Sequence, residues 1–333
     1  MMERTGGRAA PVKMIWMFVT LGLMISCILM LLFVRGDFGR KMLNLLQMIP
    51  PFILLAAAAS ICLSKGSANF ALPGIASMCG MLTAQIAQDG DLAVLGIAAS
   101  LFVGAALGAL TGLFTIQSRR NVWLVSGVSS LLLGTLFMAL ATVFTDYRTI
   151  SSSFSRDGET VMAIIAIMIT VGISILGGLG RHISTNNGDD APKPGGGLRF
   201  VWTLIAGALA GLAGAAMAVR MRGASPTTFS SANEMYIIPA LLFGGALIPN
   251  LRHSTGEGIC GGLAVFFGTV AFEAVMLFFS ILGMTNVIQR ILVFAISALL
   301  LIPNLAIGRR NADAARVSVP EPYPQYPEYR PYE

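Results

Sequence analysis

The chain has 333 residues, of which 55% are hydrophobic and only 11% are charged. Since a soluble globular protein carries about 25% charged residues, this composition excludes an ordinary water-soluble fold and indicates a membrane protein. The net charge of +6 is interpreted by its location along the chain rather than as affinity for nucleic acid. The 37 glycines favour closely packed membrane helices over a β-barrel.

Ten apolar segments follow one another, separated by charged residues or polar loops. About 20 apolar residues span a bilayer as a helix, and most segments are near that length. We therefore predict an all-α polytopic membrane protein with about ten transmembrane helices. The predicted helices lie at residues 13–35, 41–65, 66–88, 92–118, 121–145, 160–180, 200–219, 235–249, 258–281 and 286–307.

The segments outside these helices determine the predicted domain organisation. Residues 13–308 form one transmembrane domain, preceded by a short N-terminus (1–12) and followed by a Pro/Tyr-rich tail (309–333) that we expect to be disordered. Residues 181–198 form a polar cytoplasmic linker. The distribution of Lys and Arg among the loops favours a cytoplasmic location for both termini.

Helices two to five and seven to ten resemble each other as two halves. Each half begins with an Ala/Gly-rich run, continues through an irregular turn and a glycine-rich helix, and starts its last helix with Asn-Val, at Asn121 and Asn286. The halves enter the membrane from opposite faces in the predicted topology, which indicates an inverted repeat with a path between the halves. Broken helices are expected at GSANFALPG (66–74) and within 225–268, where Gly and Pro interrupt apolar runs.

Polar and aromatic side chains occupy matching positions in these two irregular stretches. Amide and carboxylate groups are suited to hydrogen-bond a polar solute, and phenylalanine rings to form an apolar wall. The alternative interpretation is turn formation and helix capping. The predicted path residues are Asn69, Phe70 and Pro73 in the first stretch and Phe229, Asn233 and Glu234 in the second.

Glycines in three of the predicted helices indicate close helix packing. In the fourth helix they recur every four positions and therefore share one face, where a neighbouring backbone can approach. Glu273 falls well within the ninth helix, where a charge is costly, and we expect it to pair or to snorkel towards the outer face. The predicted packing residues are Gly104 and Gly108, the pair Gly244 and Gly245, and Gly261.

No group of residues indicates catalysis or nucleotide binding. No lysine follows a glycine, so the phosphate-binding motif G-x-x-x-x-G-K-[ST] is absent. The four cysteines lie in apolar runs without C-x-x-C spacing, and the two histidines lie in polar loops. We therefore predict no catalytic residue, no metal and no cofactor bound by this chain, and an intramembrane enzyme is disfavoured.

The order of these motifs resembles the permease subunits of bacterial ATP-binding-cassette importers, most closely the ribose-type permeases of the branched-chain amino-acid and ribose superfamily. The resemblance covers roughly residues 40–307 and is most specific at GLRFVWTLIAGALAGLAGAAMAVRMRGASPT, NEMYIIPALLFGGALIPN and GEGICGGLAVFFG. It implies a permease in the bacterial cytoplasmic membrane that forms the path for a small polar solute, a monosaccharide or sugar-like compound. The implied partners are ATPase subunits that bind ATP with Mg²⁺, an extracytoplasmic solute-binding protein, a second permease subunit and membrane lipid, with no nucleic acid.

Two stretches depart from the family pattern. GSANFALPG replaces the Gly-Ile-Asp-Leu-Ser-Val-Gly of sugar permeases and resembles the Gly-x-x-Asn-Phe-Ala form of amino-acid and nucleoside permeases, so nucleosides or branched-chain amino acids are alternative cargo. Gly180, Arg181 and His182 match the start of the family's ATPase-coupling helix, but the sequence NNGDDAPKPGGG that follows is a poor helix former. The second permease is therefore either identical or a different chain with an intact coupling helix.

An ion-gradient-driven transporter acting alone is the alternative of another class. Such a protein needs intramembrane charges to carry or couple the ion, and very few charges fall inside the predicted helices. The sequence therefore favours a permease that is moved by separate ATPases.

Overall fold

Long apolar helices make up nearly all of the regular structure in the computed structural model. It describes residues 9–34, 36–64, 69–89, 92–117, 122–143, 148–150, 162, 164–169, 172, 196–224, 255–285, 287–289 and 291–299. The helices are α1 (Ala9–Met30), α2 (Phe38–Ser64), α3 (Leu72–Ile86), α4 (Ala93–Gln117), α5 (Val122–Ala141), α6 (Gly196–Met221) and α7 (Thr255–Ile281), with a 3₁₀ turn at Ala87–Asp89 after α3. Residues 164–169, 287–289 and 291–299 are also helical.

Among the described residues, five helices are long and apolar enough to cross a membrane: α2, α4, α5, α6 and α7. The prediction of an all-α polytopic membrane protein is confirmed. The total of about ten helices and the inverted repeat depend on segments outside the described residues, and both stay predictions.

The start of α6 differs from the predicted boundary. The helix begins at Gly196 and includes residues 196–198, which the sequence assigned to the polar linker. The prediction used Arg199 as the edge of the membrane segment, because the apolar run begins after it. Helical backbone hydrogen bonds do not require apolar side chains, so the helix begins three residues before Arg199.

α2 is the most enclosed of the five membrane-crossing helices. In an apolar stretch of 18 residues of this helix, 78% of the residues are buried, against 28% in the corresponding stretch of α4. The helix continues through Pro50 and Pro51, as the sequence allowed. Neither proline has an N–H, so the carbonyl groups one turn earlier, at Leu46 and Gln47, lose their usual helical donors.

The described helices pack in two groups that share α2. One group consists of α3, α4, α5 and α6, in which α3 and α4 pack against each other and each packs against both α5 and α6, while α7 packs against α1. α2 packs against α6 in the first group and against α7 in the second. The outer faces of α4 and α5 carry exposed apolar side chains suited to contact with lipid, among them Val94, Phe102, Leu124, Leu131 and Leu132.

A two-stranded antiparallel ribbon covers one end of the first group. Its strands are β1 (Arg148–Thr149) and β2 (Gly223–Ala224), and the Ile150 N–H donates to the Arg222 carbonyl at 3.0 Å. The ribbon adjoins a small core in which the C-terminal ends of α3, α5 and α6 meet the start of α4. This core contains Met81, Ala84, Ala87, Ala93, Ala141, Ile150, Ala218, Val219 and Ala224.

A buried lysine holds the end of α1 against the start of α2. Lys41 is only 8% exposed, and its ammonium group donates hydrogen bonds to the carbonyls of Leu31 at 2.8 Å and Val34 at 2.5 Å. These carbonyls follow the last turn of α1, where a helix leaves acceptors without donors. Asp37 caps the other helix, because its Oδ1 accepts the Gly39 N–H at 3.0 Å.

Candidate functional site

α3 is too short to cross a membrane. Its 15 residues rise about 22 Å at about 1.5 Å per residue, less than the hydrocarbon thickness of about 30 Å. Its first turn lies beside the middle of α5, since a side chain at Gly74 would meet the Gly134 carbonyl oxygen at 2.5 Å. The chain therefore changes from irregular backbone to helix inside the bundle. We call residues 69–71 and this first turn the α3 break.

Local hydrogen bonds satisfy much of the irregular backbone at the α3 break. The Asn69 side-chain oxygen accepts the Ala71 N–H at 3.1 Å, and the Phe70 N–H donates to the Ser130 hydroxyl on α5 at 2.9 Å. Pro73 lies in the first turn of α3, where its missing N–H removes a donor that the helix would not have used. Buried, non-helical backbone at membrane depth needs such partners.

Two side chains at the α3 break could contact a ligand, one through an amide donor and the other through an exposed aromatic ring. The amide nitrogen of Asn69 is buried without an oxygen acceptor among the described residues, and the side chain adjoins the thiol of Cys62, a weak acceptor. The Phe70 ring is 45% exposed. An amide donor beside an open aromatic face suits a neutral solute with hydroxyl groups.

Glycine allows the backbones of α4 and α6 to touch. A side chain at Gly104 would meet the Gly207 carbonyl oxygen at 2.5 Å, and one at Gly108 would meet the Thr203 carbonyl oxygen at 2.5 Å. Further along the same contact, a side chain at Gly211 would meet the Ser100 carbonyl oxygen. This seam fixes the position of α6 beside α4.

Hydroxyl groups join α3 to α4 beside the seam. The Thr83 and Ser100 hydroxyls are 2.6 Å apart, and the Ser100 hydroxyl donates to the Cys79 carbonyl at 2.8 Å. Both side chains are buried. Polar contacts of this kind hold membrane helices together where the hydrophobic effect does not distinguish helix from lipid. The α3 break therefore lies at one end of a helix that is firmly attached to its neighbours.

Comparison with known proteins relates the chain to a transport family. The ribose import permease protein RbsC of Escherichia coli K12 is 23% identical over 248 residues, which are 68% of this chain and 76% of the relative. The chain is similar to ribose-type permeases. RbsC of Haemophilus influenzae is 22% identical over 274 residues, 75% of this chain and 82% of the relative. The ribose-type resemblance read from the motifs is therefore confirmed, while no protein-family model and no solved structure matches.

Within this relative of ribose-type permeases, the structure brings together some of the predicted residues. Asn69, Phe70 and Pro73 lie at the α3 break, Gly104 and Gly108 lie on the α4–α6 seam, and Gly261 lies within α7. The remaining predicted site residues lie outside the described part of the chain: Phe229, Asn233 and Glu234 of the path, Gly180, Arg181 and His182 of the coupling segment, and Gly244 and Gly245.

The sequence did not identify the α5 side of the α3 break. Ser130 and Gly134 supply the hydroxyl and the close backbone approach there. Their four-residue spacing within an apolar helix was a usable signal, because it puts a polar and a small residue on one face. That signal does not show which neighbouring helix the face will meet.

Proposed function

We propose that this chain is the transmembrane permease subunit of an ATP-binding-cassette importer and forms the path for a sugar. The observation that carries the proposal is the similarity to ribose import permeases over most of both chains. The membrane-crossing helices of the described part are consistent with it. In this proposal the chain performs no bond chemistry, and separate ATPase subunits bind and hydrolyse ATP with Mg²⁺.

We further propose that the solute passes the α3 break. A helix that begins from irregular backbone inside a bundle is a suitable place for a transported solute, because irregular backbone at membrane depth is tolerated only where it is enclosed by protein or lines a cavity. The open Phe70 ring and the buried Asn69 amide support this location. Alternating access then results from movement of the helices around this point.

The proposed assembly contains several proteins. ATPase subunits face the cytoplasm, a solute-binding protein delivers cargo from outside, and a second permease completes the path. The chain then lies in the bacterial cytoplasmic membrane with both termini inside, in contact with lipid. Residues 181–195, which precede α6, are the proposed place for contact with the ATPase, and their Gly- and Pro-rich sequence supports a different rather than an identical second permease.

A different cargo for the same machinery is the second candidate. The Gly66-to-Ala71 stretch resembles the form in nucleoside and branched-chain amino-acid permeases, and its Asn69 and Phe70 lie at the α3 break. Competition experiments separate the candidates: excess unlabelled ribose should block uptake of radiolabelled ribose if the cargo is a sugar. Uptake that responds to a nucleoside or to leucine, but not to ribose, would support the second candidate instead.

One experiment tests the composition of the assembly directly. Affinity purification of the tagged chain from native membranes in mild detergent, followed by mass spectrometry, should recover an ATPase with a nucleotide-binding motif and a solute-binding protein. Recovery of the tagged chain without any ATPase, in a detergent that preserves a known importer of this class, would contradict the proposal.

A matched pair of phenylalanine variants tests the path. Phe70→Ala removes the open ring at the α3 break, whereas Phe102→Ala removes a ring that is 72% exposed on the outer face of α4. We expect Phe70→Ala to raise the KM for cargo and Phe102→Ala to leave it unchanged, since only the first ring is proposed to contact the solute. Equal uptake kinetics of both variants would place the path elsewhere.

A further inference from the structure

One face of α2 carries polar side chains from the first turn of the helix into the bundle. Arg40, Asn44 and Gln47 follow one another at the spacing i, i+4 and i+7, which places them on one side of a helix. Exposure falls along this series: the Arg40 side chain is 85% exposed, Asn44 is exposed, and Gln47 is partly buried. Pro51, four residues further along the same face, is buried. We call Asn44 and Gln47 the α2 strip.

The α2 strip is unsuited to contact with lipid. Both of its residues lie within the membrane-crossing span Phe38–Leu63, and Gln47 is about 13 Å along the helix from Phe38, at about 1.5 Å per residue. An amide group that faces hydrocarbon loses its hydrogen bonds with water, so polar residues at this depth face the bundle interior or a water-filled cavity. The exposed Asn44 therefore indicates that water reaches this face of α2.

Hydrogen-bonding capacity is concentrated at the inner end of the α2 strip. The Gln47 amide nitrogen is buried without an acceptor among the described residues. Because Pro50 and Pro51 have no N–H, the carbonyls of Leu46 and Gln47 lose their usual helical donors. The same turn of helix thus offers donors from one side chain and acceptors from the backbone. A hydroxyl group matches both, because it donates one hydrogen bond and accepts others.

Stability alone does not account for an amide at position 47. A buried donor without an acceptor destabilises a fold, whereas a leucine of similar volume would fill the same space without that cost. The neighbouring residues Leu45, Ile49 and Ile53 are buried and apolar. Polar groups that lower stability are typical of functional sites. Since the Gln47 side chain is flexible and partly exposed, its rotation can bring the amide N–H groups to a ligand beside the helix.

We propose that the α2 strip lines a water-filled cleft in which Asn44 and Gln47 bind the hydroxyl groups of a neutral solute. The solute class follows from the chemistry, because amides and backbone carbonyls are uncharged and form hydrogen bonds in both directions. The cleft follows from the exposure and depth of the two residues, whereas its use by transported cargo rests on the proposed function. Water occupies the same groups when no solute is bound.

Thiol labelling tests the cleft without any transport. Asn44→Cys and Gln47→Cys variants in lipid nanodiscs are treated with a charged, water-soluble methanethiosulfonate reagent, which reaches both membrane faces, and the wild-type chain gives the background from its own cysteines. Phe102→Cys is the matched control: Phe102, like Gln47, lies nine residues after the first residue of its helix, but it is 72% exposed on the outer face of α4. We expect both strip variants to react about tenfold faster than Phe102→Cys, because a thiol in hydrocarbon does not ionise. Labelling of either strip variant as slow as that of Phe102→Cys would overturn the cleft.

Thermal melting of the purified chain tests whether the Gln47 amide has a structural partner. Gln47→Leu removes the unpaired donor, so its melting temperature should equal or exceed the wild-type value. Gln289→Leu is the control, because the Gln289 amide donates to the Met284 carbonyl at 2.9 Å, and the loss of this bond should lower the melting temperature. A fall for Gln47→Leu as large as that for Gln289→Leu would show that the amide serves the fold, and would overturn its role in binding.

Uptake of radiolabelled ribose tests the solute. Gln47→Leu should raise the KM by about three- to tenfold, the effect of losing a neutral hydrogen bond to a ligand, whereas Gln289→Leu should leave the KM unchanged. An unchanged KM for Gln47→Leu would show that water alone occupies the α2 strip, and would overturn the binding of cargo there. If the wild-type assembly takes up no ribose, the proposed function is contradicted, while the labelling experiment still decides the cleft.

Discussion

At the scale of single residues, the α3 break depends on a hydrogen bond between two helices. The Phe70 N–H lies two residues before the start of α3, and the Ser130 hydroxyl accepts it at 2.9 Å. The same hydroxyl donates to the Gly127 carbonyl at 3.0 Å, so its orientation is fixed by α5. A buried N–H without an acceptor costs about 1–3 kcal/mol, and the partly buried Phe70 N–H finds its acceptor in this hydroxyl.

Replacing this hydroxyl should loosen the α3 break. We expect Ser130→Ala to lower the free energy of unfolding by about 1–3 kcal/mol, because the Phe70 N–H loses its acceptor. Ser129→Ala is the control, since the Ser129 hydroxyl bonds only to carbonyls of its own helix, at Val125 and Ser126, in the described structure. Chemical denaturation in mixed micelles compares the two. Equal stabilities would show that the Ser130 contact contributes nothing.

Glycine at position 207 is required by backbone contact. A side chain there would meet the Gly108 backbone nitrogen at 2.7 Å, besides the Gly104 carbonyl, and neither backbone atom can move aside without shifting α4. Gly207→Ala should therefore destabilise the chain by about 1–3 kcal/mol, despite the gain of about 1 kcal/mol in helix propensity. Thermal melting monitored by size-exclusion chromatography measures the effect.

Gly22 provides the control for this substitution. It lies within α1, and a side chain added there has no neighbouring atom within 4 Å. Gly22→Ala should leave the melting temperature unchanged or raise it slightly, because only helix propensity changes. A Gly207→Ala variant as stable as Gly22→Ala would contradict the backbone contact between α4 and α6.

At the scale of elements, α1 is secured at its end by a charge on the next helix. Lys41 is placed near the start of α2 and donates to two carbonyls beyond the last turn of α1. Lys41→Met keeps the apolar stem and removes the donors, so we expect a loss of about 1.5–3 kcal/mol, the range for hydrogen bonds to charged groups. The measurement is limited proteolysis between the two helices, which should become faster.

Arg40→Gln controls for the loss of charge in the Lys41 experiment. The Arg40 side chain is 85% exposed and lies 3.7 Å from the Asp37 carboxylate, a surface pair worth little. This variant should show the wild-type rate of cleavage. Cleavage of Lys41→Met at that same rate would show that the lysine does not hold the end of α1.

The helices themselves could be predicted because membrane helices obey a simple length rule. Charged residues such as Arg119 and Arg120 mark where an apolar run ends, and α4 ends before them, at Gln117. The length rule fails where backbone conformation, and not apolar composition, determines the residue at which a helix starts. α3 starts at Leu72 and not at residue 66, because Pro73 is suited to a first turn and the residues before it form a turn.

The candidate site could be predicted only in part for a related reason. The irregular stretch with Asn69 and Phe70 was visible in the sequence, since Gly and Pro interrupt an apolar run there. Its partner on α5 was not visible, because hydrophobic patterning in a membrane does not say which helices meet. The sequence likewise showed Glu273 within a helix, but not that neighbouring helices bury it to 2% exposure.

At the scale of the whole molecule, the described helices divide into a firmly packed group and a second group joined to it through α2. Backbone contacts between glycines hold α4 to α6, and the Thr83–Ser100 hydroxyl pair holds α3 to α4. α7 packs against α1 and α2. Such a division allows one group to move against the other without breaking the close contacts inside each, which suits a permease driven from outside the chain.

The most direct test of the proposed function is whether this chain transports by itself. Proteoliposomes containing only the purified chain, with proton and sodium gradients imposed, are compared with proteoliposomes that also contain the co-purified ATPase and solute-binding protein, with ATP and Mg²⁺ on the ATPase side. We expect uptake of radiolabelled ribose in the complete system with ATP, and none with the chain alone. Gradient-driven uptake by the chain alone would contradict it.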